Sequence, residues 1–484
     1  MLKLINFRNI IYTLGFGLII ESIFMVFMIP FGLYYNENTL IAEIASVLIT
    51  LGAGLFLLLL SHNKGHSYYN LRESFITIGL IWILIPLLGV LPYLLTHQIS
   101  GFENAFFESV SGFTTTGSSI LTDIESLPKS ILFWRATTHW MGGMGIIIIV
   151  VIIMREMRIN GTHLMTAEGS LLGIEKIKPR IIDVAKRLYL IYFILTFTEM
   201  LLLMFGGMTF YDAICHSFAT IATGGFSTHN SSIIEMSPYI QYVIIAFMVM
   251  SGINFTLHYF FLTGKLRNVL HDEELRVFLV IIVVAVLLVT FNIAPLFSHF
   301  ENAFRQAAFQ VTSIITATGF ASYNYELWPN MSHMIIWVLM FIGACVGSTG
   351  GGVKVARYII AFKTAKLRFT HILSPNSVKT IRYNKIKLTS RNIQSVSAFI
   401  TIYFFMFIVG TLVICSTGTD LHTAASSVIT TLGGIGPGFG KIGPINNFAG
   451  MTVFAKYYLS FNMIIGRLEI FPILVLLHPA FRKA

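Results

Sequence analysis

Residues 112–120 read GFTTTGSSI, an uncharged polar segment set between the long apolar stretches 71–95 and 131–154. The segment is too short to be a helix of its own, and something like it returns at three later places. The four copies, each with the moderately apolar residues before it, read FENAFFESVSGFTTTGSS, FYDAICHSFATIATGGFS, FENAFRQAAFQVTSIITATGFAS and TDLHTAASSVITTLGGIGPG. Segments that recur at matched spacing indicate an internal repeat. We therefore expect four related units.

The composition is that of a membrane protein. Of 484 residues, 55% are hydrophobic and only 11% are charged, whereas soluble domains carry about 25% charged residues. Apolar runs of about 20 residues recur along the whole chain, which indicates transmembrane helices rather than the shorter alternating segments of a barrel. The predicted spans are 10–33, 38–61, 71–95, 131–154, 183–205, 238–262, 276–298, 331–362, 393–416 and 445–478.

We predict an all-α polytopic membrane protein with about ten transmembrane helices. Two N-terminal helices precede four helix–pore-loop–helix repeats around a central pore. In each repeat an acidic residue opens a short helix, where a carboxylate complements the helix dipole; these are Glu103, Asp212, Glu301 and Asp420. The predicted units are 1–66 (two-helix extension), 67–160, 161–265, 266–375 (with an intramembrane loop at 343–354) and 376–484.

The Lys and Arg residues indicate the orientation. The linkers 155–187 and 363–391 hold seven and eight of them, and cytoplasmic loops are enriched in these residues. We therefore place both linkers and both termini in the cytoplasm, and the glycine motifs on the outside. This topology explains the net charge of +10 without a nucleic-acid partner.

The polar glycine motifs predict a cation pathway. Non-helical backbone at membrane depth must be buried in protein or line a wet cavity. Carbonyl and hydroxyl groups are neutral oxygen ligands, and rings of backbone carbonyls form potassium filters, whereas calcium sites use carboxylates. Small residues can instead serve helix packing, which is how we interpret MGGMG at 141–145; four matched copies favour a pore. Acidic residues near the outer mouth would concentrate cations: Glu103, Glu108, Asp123, Glu125, Asp212, Glu235, Glu301, Glu326 and Asp420.

A glycine run interrupts the predicted span 331–362. The stretch 343–354 reads GACVGSTGGGVK, and glycines at this density should break the helix. It is not a phosphate-binding loop, because Val353 separates glycine from lysine. Below we call 343–354 the glycine loop. Arg467, in NMIIGRLEIF, is a charge at membrane depth and hence a candidate functional residue. Neutralisation by Glu469 is the weaker interpretation, because residues two apart do not share a helix face.

Several motifs resemble, in order along the chain, those of the Trk/Ktr/HKT potassium transporter superfamily. They are FFESVSGFTTTGSS, FWRATTHWMGGMGIIIIV, IATGGFSTHN, ITATGF, GSTGGGVKVAR and IIGRLEIFPIL. The two additional N-terminal helices make the chain most similar to the bacterial TrkH membrane subunits. The fourth motif, GGIGPG, departs from the pattern because it lacks threonine.

The resemblance implies a homodimer in the bacterial inner membrane, one pore per protomer, and a cytosolic nucleotide-binding ring of the TrkA/KtrA type. It also implies K⁺ as the transported ion, with no cofactor. The predicted K⁺-binding residues are Thr115, Thr116, Gly117, Ala222, Thr223, Gly224, Ala317, Thr318, Gly319, Gly434, Ile435 and Gly436. The predicted gate residues are Gly347, Ser348, Thr349, Gly350, Gly351, Gly352 and Arg467.

Four functions are compared with these features. Channel-like K⁺ uptake gated by a partner is favoured over Na⁺- or H⁺-coupled K⁺ transport, because all four units run in the same orientation rather than as inverted repeats. A less selective K⁺/Na⁺ pathway is the other alternative. An enzyme is not supported, because no nucleophile–base pair or metal-ligand spacing is present. The basic segment 363–391 is equally suited to docking a soluble partner and to attracting anionic membrane lipid.

Overall fold

The computed structural model describes residues 6–61, 71–157, 181–374 and 380–477, with side chains described except at 71, 146–157 and 181–184. Most of the predicted linker 155–187, part of the linker 363–391 and both predicted cytoplasmic chain ends lie outside the described residues. So do the predicted unit boundaries near 66, 160 and 375.

The described chain is mostly helical, with few strand residues, in agreement with the predicted all-α class. The N-terminal part and the first unit contain α1 (Phe7–Val26), α2 (Ile29–Tyr34), α3 (Leu40–Leu60), α4 (Leu71–Leu88), α5 (Leu91–Leu95), α6 (Phe102–Phe113) and α7 (Lys129–Met157). The second unit contains α8 (Ile181–Phe205), α9 (Phe210–Ile221), α10 (Pro238–Gly252), α11 (Phe255–Leu262) and α12 (Leu266–Leu270). The third and fourth contain α13 (Glu273–Ile293), α14 (Phe300–Ile315), α15 (Asn330–Met340), α16 (Val355–Leu373), α17 (Ser390–Cys415), α18 (Leu421–Gly433), α19 (Val453–Arg467) and α20 (Phe471–Leu477).

The predicted short helix is present in every unit, as α6, α9, α14 and α18. The start of α9 is capped by Thr209, whose hydroxyl accepts from the Asp212 N–H, and that of α18 by Asp420, which accepts from the Thr423 N–H. Such caps satisfy orphan N–H groups of a first turn. The caps and the acidic residues therefore fix where the short helices begin.

The long helices after the short ones are more broken than predicted. By length and composition, six helices of the described chain can span a membrane, or seven if the bent pair α10–α11 is one span. The segment predicted as one helix at 238–262 is two helices, because α10 and α11 meet at 102° and Asn254 caps the new helix. The segment predicted as one helix at 445–478 begins later, at Val453, and its helix is interrupted after Arg467.

The break predicted at the glycine run is confirmed. The helix α15 ends at Met340 and α16 begins at Val355, so the glycine loop lies between them. Gly347 and Gly352 have φ values of 76° and 71°, in the region that favours glycine. The only strands in the described chain form a hairpin between α16 and α17: β1 (Arg382–Tyr383) pairs antiparallel with β2 (Ile386–Lys387).

The N-terminal helices α1 and α3 approach each other through two glycines. A Cβ on Gly54 would lie 3.0 Å from the carbonyl oxygen of Gly15 and 2.9 Å from the side chain of Ile19. A Cβ on Gly52 of the same helix would meet nothing within 4 Å. The pair offers a matched test of this packing.

We expect Gly54→Ala to destabilise the protein by about 1–3 kcal/mol, because the two helix backbones must separate to admit the methyl group. Gly52→Ala should be neutral or slightly stabilising, because alanine is the better helix former. Thermal unfolding of the purified protein in detergent measures both. Equal stability of the two variants would contradict the close packing of α1 on α3.

Candidate functional site

The four short helices end in the same backbone turn. The first residue of the turn is in the left-handed region, and a second positive φ follows two residues later. The first positions have φ values of 53–66°, at Thr115, Thr223, Ala317 and Gly434, and the second positions have φ values of 79–95°, at Gly117, Gly225, Gly319 and Gly436. Left-handed threonine and alanine are uncommon. The repeated geometry shows that the four segments are built alike.

In the second unit, the observed turn lies one residue later in the chain than the predicted one. The motif ATGG contains two glycines, and we matched the first, Gly224, to Gly117. The structure matches Gly225 to Gly117 instead, because Gly225 carries the positive φ of 79°. Ala222 is the cap that ends α9, with φ of −73°, the position that Thr114 holds after α6. The equivalent turn is therefore 223–225.

The second glycines bring the four turns together in a ring. A Cβ built on each would collide with a backbone carbonyl oxygen of the next unit in chain order, and the fourth returns to the first. The pairs are Gly117 with Gly224, Gly225 with Thr318, Gly319 with Ile435 and Gly436 with Thr116. Only a residue without Cβ permits such an approach. The turns thus form a closed ring, with its units in the order of the sequence.

The ring presents buried backbone oxygens that lack protein donors. Thr116, Thr318 and Ile435 are at most 2% exposed, and no N–H or O–H group of the described chain donates to their carbonyl oxygens. The hydroxyls of Thr114 and Thr116 are 2.8 Å apart, as are those of Thr316 and Thr318. Buried carbonyls normally have a partner. A dehydrated cation would supply one.

Two side chains of α7 support the first two turns from behind, and both were missed in the sequence. The Nε2 atom of His139 accepts from the Phe226 N–H at 3.2 Å, so Nδ1 carries the proton and donates to the Gly112 carbonyl at 2.8 Å. Arg135 donates to the Glu108 carboxylate at 2.8 Å and to the Ser227 carbonyl at 3.3 Å. The spacing of four residues in WRATTHW, which places both on one helix face, was the available signal.

Glu108 is therefore not one of the acidic residues of the outer mouth. Its carboxylate is fully buried, and it also accepts from Ser119 and Ile120. The exposed carboxylates of the predicted set are Asp123, Glu125, Glu235, Glu301 and Asp420, and the half-buried ones are Glu103, Asp212 and Glu326. The side-chain amide of Asn230 donates to Asp123 and lowers the pKa of that carboxyl. Asp123 therefore remains negative over a wide pH range.

The glycine loop lies against the inner ends of the turns. A Cβ on Gly350 would be 2.7 Å from the Thr316 carbonyl oxygen, and one on Gly351 would collide with the Gly433 carbonyl. A small cavity separates this loop from the first and fourth turns, and Arg467 forms part of its wall. The loop thus packs against the residues at which the third and fourth turns begin.

Arg467 connects the glycine loop to α7. Its Nη1 atom donates to the Thr349 carbonyl at 2.6 Å and its Nη2 atom to the Gly142 carbonyl at 2.9 Å. Glu469 pairs with Arg357 instead, so neutralisation of Arg467 by a near neighbour is not observed. Both acceptors are backbone carbonyls, and no hydroxyl of the loop accepts from Arg467 in the described chain. The Thr349 hydroxyl instead donates to the Ile221 carbonyl at 3.0 Å, and the Ser348 hydroxyl to its own turn at Cys345.

Lys354, the last residue of the glycine loop, folds back on the loop, a contact with no local signal in the sequence. It is 5% exposed, and its Nζ atom donates to the Gly350 carbonyl. Two cationic side chains therefore bind loop carbonyls under the ring. Because a buried charge is costly unless hydrogen-bonded, Arg467 and Lys354 both favour the position of the loop seen here.

The pairing of Arg135 with Glu108 gives a stability prediction. Glu108→Ala should destabilise the protein by about 3–5 kcal/mol, because Arg135 is left buried without a counter-charge. Replacing both residues by Met should cost less than the single change, because the uncompensated charge is then removed as well. Thermal unfolding in detergent compares the variants. A single variant as stable as the double would show that the pair is not electrostatically coupled.

Comparison with known proteins gives a consistent result. The family model TrkH, described as "Cation transport protein", matches residues 36–480. The Trk system potassium uptake protein TrkH of Escherichia coli K12 is 37% identical, covering 98% of this chain and 99% of that protein. The TrkH of Halomonas elongata is 35% identical over the same shares. The crystal structure of the potassium transporter TrkH from Vibrio parahaemolyticus superposes with a TM-score of 0.89 at 33% identity, covering 98% and 99% of the two chains. The chain therefore belongs to the TrkH family of cation transport proteins.

Proposed function

We propose that this protein takes up potassium through the ring of four turns, as a channel-like pathway rather than a carrier. The observation that carries the proposal is the closed ring, in which each turn meets a carbonyl of the next. Four related segments that point neutral oxygens at one axis can replace the hydration shell of a monovalent cation. The relatives named above are potassium uptake proteins, which supports K⁺ as the ion.

The K⁺ ligands are the predicted residues, with the second set moved to the turn that the structure matches to the others. They are Thr115, Thr116, Gly117, Thr223, Gly224, Gly225, Ala317, Thr318, Gly319, Gly434, Ile435 and Gly436. The first and third turns have threonine in the middle position, whereas the second has Gly224 and the fourth Ile435. The ligand ring is therefore uneven in its side chains and more regular in its backbone, so selectivity depends on the carbonyls.

The glycine loop and Arg467 form the gate. The loop blocks the inner side of the ring, and the guanidinium beneath it repels an approaching cation. The loop contains four glycines between 347 and 352 and therefore has several accessible backbone conformations. A cytosolic nucleotide-binding partner that acts on the inner face would bias the loop between a blocking and a withdrawn position.

The same proposal places the protein in the bacterial inner membrane as a homodimer, with both termini in the cytoplasm. The linker 363–391 faces the cytosol, where a partner ring or anionic lipid can contact it. Coupled transport with Na⁺ or H⁺ is the second candidate, and a less selective K⁺/Na⁺ pathway is the third. Coupled transport predicts K⁺ flux that depends on the Na⁺ or H⁺ gradient, and a less selective pathway predicts Na⁺ flux. A K⁺-selective pore predicts neither.

A side chain on a ring glycine should impair selectivity. We expect Gly117→Ser and Gly319→Ser each to lower the K⁺ to Na⁺ permeability ratio about tenfold, or about 1.4 kcal/mol, because the new Cβ displaces a carbonyl of the next unit. Reversal potentials of the reconstituted protein measure the ratio. Gly207→Ser is the control, because Gly207 has a φ of 93° but no atom within 4 Å of its Cβ position. An unchanged ratio in both ring variants would refute the filter.

Loss of the loop contacts should open the pathway without a partner. We expect Arg467→Ala, or deletion of residues 350–352, to raise K⁺ flux into proteoliposomes while the permeability ratio stays unchanged. Arg187→Ala is the control, since Arg187 is exposed and contacts Tyr259 rather than the glycine loop. If either test variant is folded but carries no flux, the loop supports the pore and does not gate it.

A further inference from the structure

One buried carboxylate holds both ends of the glycine loop. Glu274, in the first turn of α13, is 4% exposed. One carboxylate oxygen, Oε1, accepts from the Val346 N–H at 2.9 Å and from the Ala356 N–H at 3.0 Å. Val346 directly precedes the glycine run, and Ala356 lies in the first turn of α16. The two ends of the loop are thus fixed to a single atom of another helix.

The other oxygen of this carboxylate is bound by the cytoplasmic hairpin. Oε2 accepts from the Tyr383 hydroxyl at 3.0 Å, and Tyr383 is 1% exposed. No other residue of the hairpin reaches the carboxylate in the described chain. Tyr383 therefore forms a direct connection between the hairpin and both ends of the loop.

The hairpin is firmly attached to the start of α13. Its two-residue turn has positive φ at both Asn384 and Lys385, as in the type I′ turns that suit tight hairpins. The Asn384 amide donates to the Asp272 carboxylate at 2.8 Å, and its side-chain oxygen accepts from the Glu273 N–H at 2.8 Å. The outward side chains of the hairpin, Arg382, Lys385 and Lys387, are exposed. A molecule that contacts these exposed side chains can therefore displace the hairpin as a rigid unit.

We infer that Glu274 is the positioning residue of the gate, and that Tyr383 couples the position of the hairpin to it. The inference rests on the proposed gating role of the glycine loop. The carboxyl group of Glu274 accepts three hydrogen bonds in a buried site, and removing the partner of a buried polar group is costly. A displaced hairpin must either break the Tyr383 bond or move the carboxylate together with both loop ends.

Tyr383→Phe tests the coupling, because it removes one hydroxyl and leaves both loop bonds to Glu274 in place. We expect faster hydrogen exchange at the amides of Val346 and Ala356, and about tenfold higher K⁺ flux without a partner, as the loss of one buried hydrogen bond implies. The permeability ratio should not change. Tyr403→Phe is the matched control: Tyr403 is 2% exposed, and its hydroxyl has no hydrogen-bond partner within the described residues.

Two variants of Glu274 test its positioning role. Glu274→Leu should raise exchange and flux beyond Tyr383→Phe, because both loop ends are released. Glu274→Gln should recover most of the original behaviour, since its oxygen can still accept from both N–H groups and its amide can donate to Tyr383. If Glu274 only stabilises the fold, Glu274→Leu should lower the unfolding temperature without changing hydrogen exchange at the loop or K⁺ flux.

The inference is overturned if Tyr383→Phe matches Tyr403→Phe in both exchange and flux. If Arg467→Ala still raises flux in that case, the gate stands and only the coupling is wrong. If Arg467→Ala also leaves flux unchanged, the proposed gating function itself fails.

Discussion

The structure depends on one constraint, that backbone outside a helix must find partners when it is buried at membrane depth. Four segments meet this constraint together. Each leaves its short helix through a left-handed residue and reaches a glycine whose missing Cβ lets a carbonyl of the next unit approach. No single turn could be stable alone, because its neighbours form its walls. The ring therefore forms only when all four units are folded together.

Side chains of α7 hold the ring, whereas the glycine loop packs against it mainly through backbone. His139 and Arg135 connect the first two turns through neutral and charged hydrogen bonds in a fully buried layer. The glycine loop instead has five glycines among its twelve residues, and Arg467 and Lys354 bind its carbonyl groups. A selective site requires fixed ligands, whereas a gate requires an element with two accessible positions. The distribution of side chains matches these two needs.

The sequence predicted the repeat, the short helices and the broken third unit, because each has a local signal such as a recurring motif, an acidic first turn or a glycine cluster. It did not predict the break after Arg467, where Glu469 and Ile470 adopt φ values of 54° and 67°. Neither residue type favours that region, so tertiary contacts impose it. The register of the second turn failed for a related reason: two adjacent glycines fit the motif, and only the backbone distinguishes them. The pairing of Glu108 with Arg135 spans 27 residues and has no local signature.

The central claim is that ions pass through the ring as through a selective pore. The most direct test is the reversal potential of the purified protein in planar bilayers with asymmetric K⁺ and Na⁺ solutions. We expect a potential that follows the K⁺ gradient and is insensitive to pH and to Na⁺ on the side of uptake. A potential that shifts with the proton gradient at fixed K⁺ would contradict a selective pore and would indicate coupled transport. A potential that shifts with the Na⁺ gradient would contradict it as well and would indicate coupled transport or a less selective pathway.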